Sequence, residues 1–197
     1  MNRKIGMWAS AVNAVSVGLF ALSMLAGSPF LSYLSSMFIA FSFLPMMCSF
    51  CFYAPEDRKI PGMAAVAFGC IYGAMILLVY FAQVTTLRLE TLTDQAQRLM
   101  DYQKFSLFFN YDLLGYGMMA LSTFFAGLTL TRKSILKWLL LLHGIFFLSC
   151  FVVPMLGVFS TDGDPMVGTI LLTIWCLYFI PVGILSLKFF KGMPAGK

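Results

Sequence analysis

Residues 61–87 read PGMAAVAFGCIYGAMILLVYFAQVTTL, twenty-seven positions without one charged side chain. As a helix this run is about 40 Å long, and ~20 residues suffice to cross the ~30 Å hydrocarbon layer of a bilayer. Runs of the same character cover about 5–27, 31–54, 107–130, 135–157 and 167–190. Pro29, the Pro55-Glu56-Asp57-Arg58-Lys59 turn, Arg132-Lys133 and the loop from Ser160 to Pro165 separate them, which is ordinary helix-breaking chemistry. The runs show neither a period of 2 nor one of 3.6, so they require a solvent other than water. A membrane β-barrel would instead alternate in ~10-residue segments. The expected fold is therefore an all-α, six-transmembrane-helix bundle forming one polytopic domain over 1–197.

Composition agrees. The chain is 60% hydrophobic and 11% charged, where soluble domains carry about 25% charged residues; mean hydropathy is +0.89. The net charge of +5 does not imply nucleic acid, because the basic residues form no patch interleaved with stacking aromatics. They cluster at the ends of the runs, where they meet lipid headgroups and set orientation. With the N-terminus cytoplasmic, that side holds Arg3, Lys4, Arg58, Lys59, Arg132, Lys133, Lys137, Lys188, Lys191 and Lys197; the other holds only Arg88, Arg98 and Lys104. Trp8 and Trp138 fall at the cytoplasmic interface. The first run opens like a signal peptide behind Arg3-Lys4. It is too long for an h-region of ~7–15 residues and lacks a small-x-small cleavage site, so in a chain beginning at Met1 it is expected to be retained.

Between the third and fourth runs, residues 88–106 place Leu89, Leu92, Ala96 and Leu99 on one helical face and Glu90, Asp94, Arg98 and Asp101 on the other. Thr91 and Asp94 match a capping box. An outer amphipathic helix, or a solvated connector, is expected there. Ala65, Gly69 and Gly73 on the third helix, like Ser10, Ala14 and Gly18 on the first, form small-xxx-small faces that let helix backbones approach closely, within the bundle or between copies in an oligomer. Cys48-Ser-Phe-Cys51 is a CxxC pair, but it falls near the cytoplasmic, reducing end of its helix. No zinc set, HExxH, GxSxG or P-loop is present, so neither metal nor cofactor is expected.

Polar groups at membrane depth are costly and are the default functional candidates. One set lies toward the outer side: Gln83 and Thr85 closing the third helix, and Asn110, Asp112 and Tyr116 on the fourth. Asp112 is the one acidic residue inside a run. A second set lies deeper, with Asn13 and His143 both ~12 Å above the cytoplasmic boundary, and the carbonyls of Phe41 and Leu177, freed by Pro45 and Pro181, at ~15 Å. These are expected to form either a mutual network or a ligand site. Asp112 and His143 differ in depth by ~9 Å, too far for a direct dyad, and would couple only through Tyr116 or water.

Gln83-Val84-Thr85 followed by Asp112-Leu113-Leu114-Gly115 resembles a pattern in uncharacterised bacterial six-helix integral membrane proteins, a domain-of-unknown-function family. The resemblance implies the bacterial inner membrane and carries over no activity. Three functions remain open on the residues. The leading one is a small multi-pass protein that binds, and by extension transports, a small or amphipathic ligand in a polar pocket near the outer leaflet, with membrane lipids as its surroundings. The alternatives are a membrane-embedded enzyme on a lipid or isoprenoid substrate, disfavoured by the single acid and single histidine, and an accessory subunit of a larger membrane complex.

Overall fold

The computed structural model of the chain describes residues 1–89, 91–101, 106–156 and 165–194. Its regular elements are all helical among the described residues. In chain order they are α1 (Asn2–Leu25), α2 (Pro29–Tyr53), a 3₁₀ turn (Glu56–Arg58), α3 (Lys59–Val84), α4 (Thr86–Leu89), α5 (Asp94–Met100), α6 (Leu107–Thr129), α7 (Ile135–His143), α8 (Phe146–Met155) and α9 (Pro165–Lys191).

α1 packs on α2, α2 on α3, α3 on α6 and α6 on both α7 and α8, and α9 closes the ring between α7 and α1. Small residues fix the register. Cβ atoms added at Gly62 and Gly69 of α3 would come within 2.9 Å of Cys51 and 3.3 Å of Ser122, respectively. On α6, a Cβ at Gly115 would meet Ile76 at 3.3 Å, and one at Gly127 would meet Leu141 at 3.0 Å. On α9, a Cβ at Gly183 would lie 2.8 Å from that of Ala14. Ala65, Gly69 and Gly73 are all buried within the chain, so this face serves internal packing, and Ser122 Oγ donates to the Ala65 carbonyl across it at 2.6 Å. The α1–α2 hairpin is set by Gly27, whose φ of 64° needs no Cβ. Around it Ser28 N–H donates to Ser23 O at 2.9 Å, the closing bond of a Schellman motif.

The surface is apolar and the interior partly polar. Leu78, Ile60 and Trp8 are 73%, 81% and 71% exposed, while Ser10, Asn13, Ser36, Ser122 and Thr123 are wholly buried. That inversion suits a lipid exterior, where burial from water no longer drives packing. Five stretches are long and apolar enough to cross a membrane: Asn2–Leu25, Pro29–Tyr53, Glu56–Leu89, Ile135–Val152 and Gly168–Lys191. The fourth expected run, α6, has 23 residues but is not among them. It packs against α3, α7, α8 and, less extensively, α2, and its buried positions include Asp112, Ser122, Thr123 and Thr129. A helix so enclosed shows little side to lipid and tolerates a polar face.

Two further expectations are corrected. The run 135–157 is not one helix but breaks at Gly144-Ile145 into α7 and α8. A Cβ at Gly144 would lie 2.8 Å from Phe124, and the bonds there tighten to i→i+3, as in Ile145 N–H to Leu142 O at 3.0 Å. The segment 88–106 is likewise not one helix. The short α4 and α5 are separated around Thr91–Thr93, and the cap is Thr93, whose Oγ1 accepts from Ala96 N–H at 3.4 Å, instead of Thr91. Glu90, Lys104 and the loop 160–164 lie outside the described residues.

Candidate functional site

Asp112 sits in the second turn of α6 with 1% of its surface exposed. The alignment of Gly115 with Ile76 puts Asp112 level with Val79 on α3, one turn below Gln83, ~6 Å. Tyrosines surround this level. Tyr33 of α2 and Tyr80 of α3 stack at 5.3 Å, and the Tyr72 and Tyr116 rings lie 6.0 Å apart. The Tyr72 side chain is fully buried, and its hydroxyl has no hydrogen-bond partner among the described residues; the same holds for Ser36 Oγ on α2. A buried hydroxyl without a partner is costly, so the Tyr72 hydroxyl has hydrogen-bonding capacity to offer.

Of the five residues expected here, Gln83, Asp112 and Tyr116 are buried, Thr85 is half-buried and Asn110 is exposed. Asn110 is two residues from Asp112, a spacing that directs side chains to different faces of a helix. Thr85 folds its hydroxyl back to Phe81 O at 2.6 Å. Gln83 donates its amide to Met100 O at 2.7 Å, tying the C-terminal end of α5 to α3 over this end of the bundle. Arg88, a candidate counter-charge, lies 4.4 Å over the Phe30 ring. Two cavities lie elsewhere in the fold. One runs beside Asp94, Gln95, Arg98 and Leu99 of α5, and another opens at the opposite end of the bundle.

Asn13 and His143 do not form one network. Asn13 Nδ2 donates to Ile39 O at 3.2 Å and Ser42 Oγ at 3.1 Å, binding α1 to α2. His143 belongs to the α6–α7–α9 junction. Trp175 Nε1 donates to its Nε2 at 3.0 Å, and its Nδ1 lies 2.7 Å from Thr123 Oγ1. An indole N–H can only donate, so Nε2 accepts and the ring proton sits on Nδ1, directed at Thr123. Thr123 in turn donates to Ala120 O at 2.9 Å. The imidazole also stacks on Tyr178 at 5.9 Å and packs on Phe179 at 5.0 Å, and the Tyr178 hydroxyl donates to Leu139 O. Every polar atom of His143 is engaged.

The link between the two centres is aromatic: Tyr116 packs edge-on against Trp175 at 5.4 Å. Tyr72, Thr123 and Trp175 were not among the sequence candidates. Trp175 carried a signal, since an indole N–H in mid-run has no water to bind and must find an acceptor. No protein-family model, curated protein or solved structure matches the chain.

Proposed function

We propose that the chain is a multi-pass membrane protein crossing six times, with both termini cytoplasmic, and that it binds the cationic or hydrogen-bond-donating head of a small amphipathic molecule at Asp112. One observation carries the reading. A carboxyl is 1% exposed in an otherwise uncharged helix, one turn from Tyr116, whose ring lies 6.0 Å from that of Tyr72, a buried tyrosine whose hydroxyl has no partner among the described residues. An intramembrane carboxylate costs at least ~2.5 kcal/mol near the bilayer centre, less near its edge. Retaining it beside hydroxyls that can also bind a ligand fits recognition better than packing. α6 is the fourth of the six crossings in this reading, its polar face turned to α3 and α7. Access is from the α5 end, where the Gln83–Met100 bond is the latch: α5 swings aside, the head reaches Asp112, and the tail lies along the apolar outer surface.

The test uses dodecyltrimethylammonium as the cationic probe and dodecyl maltoside as the neutral control. The ammonium amphiphile is expected to raise the thermal midpoint of the native protein in a dose-dependent way, and Asp112→Asn to abolish that rise while leaving the ligand-free midpoint nearly unchanged. An equal rise in both proteins removes Asp112 from the site.

A further inference from the structure

We infer that the opposite, basic end of the bundle holds a second binding site, for an anion in which a phosphate group carries an apolar substituent. A cavity of about 520 Å³ opens there between the last turns of α2 and α9 and the α6–α7 connection, a size typical of small-molecule sites. Its apolar wall is the stacked pair Phe50 and Phe189, with centroids 5.5 Å apart. Arg132, Lys188, Ser134 and Tyr53 also line it, and no carboxylate does among the described residues.

The division of labour among the basic residues shows which charge is left for a ligand. α2, α6 and α9 all end here, presenting the negative poles of their dipoles. Arg58 Nη1 donates to Leu128 O and Leu130 O, each at 3.0 Å, and Lys137 adds a bond to Leu130 O at 2.8 Å. Lys59 reaches Phe52 O at 3.3 Å and Arg3 reaches Met193 O at 3.5 Å. The nearby acids are taken as well, Asp57 by Arg58 at 3.7 Å and Glu56 by Lys59 at 3.9 Å. The side chains of Arg132 and Lys188, the two cations of the cavity, make no ion pair and no hydrogen bond among the described residues. Ser134, also at the cavity wall, caps α7, its Oγ accepting from Lys137 N–H at 3.2 Å. Two unengaged cations and an aromatic wall match an organic phosphate, an anion that guanidinium groups bind through paired N–H donors.

Phenyl phosphate is the probe, titrated calorimetrically into the full chain in phosphatidylcholine nanodiscs, with phenol as the uncharged control. Saturable binding of phenyl phosphate but not phenol is expected. Combining Arg132→Gln with Lys188→Gln is expected to weaken it about tenfold or more, and Lys133→Gln, the neighbouring cation outside the cavity, to leave it unchanged. Nanodiscs containing phosphatidylglycerol distinguish the natural source: suppressed probe binding identifies a lipid phosphate, and undiminished binding a soluble one. No binding by the native protein, equal binding of phenol, or equal losses in the Lys133→Gln and double variants overturns the site. Unchanged thermal midpoints in the variants confirm that the comparison is between folded proteins.

Discussion

At the scale of single residues, Asp112 and His143 looked alike in the sequence, each the lone member of its type at membrane depth, and the structure separates them. His143 has both ring nitrogens bonded and aromatic neighbours on several sides, so it fastens α7 to α6 and α9. Interhelical hydrogen bonds in membranes average ~0.6 kcal/mol, but His143→Leu also strands the Trp175 N–H in a dry interior, which costs ~1–3 kcal/mol. We expect His143→Leu to fold, to lose an amount of stability in that upper range by equilibrium unfolding, and to keep the response to dodecyltrimethylammonium. Loss of that response in a folded His143→Leu protein would extend the Asp112 site along Tyr116 and Trp175. The importance of Asp112 was legible because one carboxylate in an apolar run needs no structure to be noticed. Its tyrosine surroundings were not, since Tyr33, Tyr72 and Tyr80 come from other helices and apolar runs place tyrosines freely. Asn110 misled for a related reason: closeness in sequence to Asp112 is not closeness on a helix face.

At the scale of elements, the ends of the long helices were legible wherever local chemistry set them. Pro29 stands at the first position of α2, and Gly27 takes the left-handed turn before it. The break between α7 and α8 was hidden because the close approach there, of Gly144 to Phe124, is to a residue on another helix. The basic residues were read for orientation alone, yet four of them also close helix termini. Arg58 does the most of this, with two bonds to the end of α6. Charged hydrogen bonds of this kind contribute ~1.5–3 kcal/mol. Arg58→Gln is therefore expected to destabilise the protein by about 2 kcal/mol and to speed amide hydrogen exchange in the last turn of α6, around Thr129. Both bonds come from the single nitrogen Nη1, so Arg58→Lys, whose ammonium also offers more than one N–H, should recover part of this. Unaltered exchange in Arg58→Gln would show that Lys137 alone holds that end.

At the scale of the whole molecule, the ring has one basic end and one end capped by α5, and the proposed orientation places the basic end in the cytoplasm. In a background lacking the five native cysteines, a membrane-impermeant maleimide applied to intact cells is expected to label a cysteine at Gln95 and to miss one at Lys59. The reverse pattern inverts the topology and moves the Asp112 site to the cytoplasmic face. The closure of the ring has a consequence for biogenesis. Gly6 and Ala14 of the first helix are covered by Phe190 and Gly183 of the last, and His143 waits for Trp175. While a ribosome is still making the chain, both seams stand open to lipid, with Trp175 and its neighbours not yet inserted. Folding of this ring is then necessarily a late event, completed only once α9 has left the insertion machinery. Chains that stall before α9 expose the partner faces of α1 and α7 together, a mark by which a membrane protease could tell an unfinished copy from a finished one.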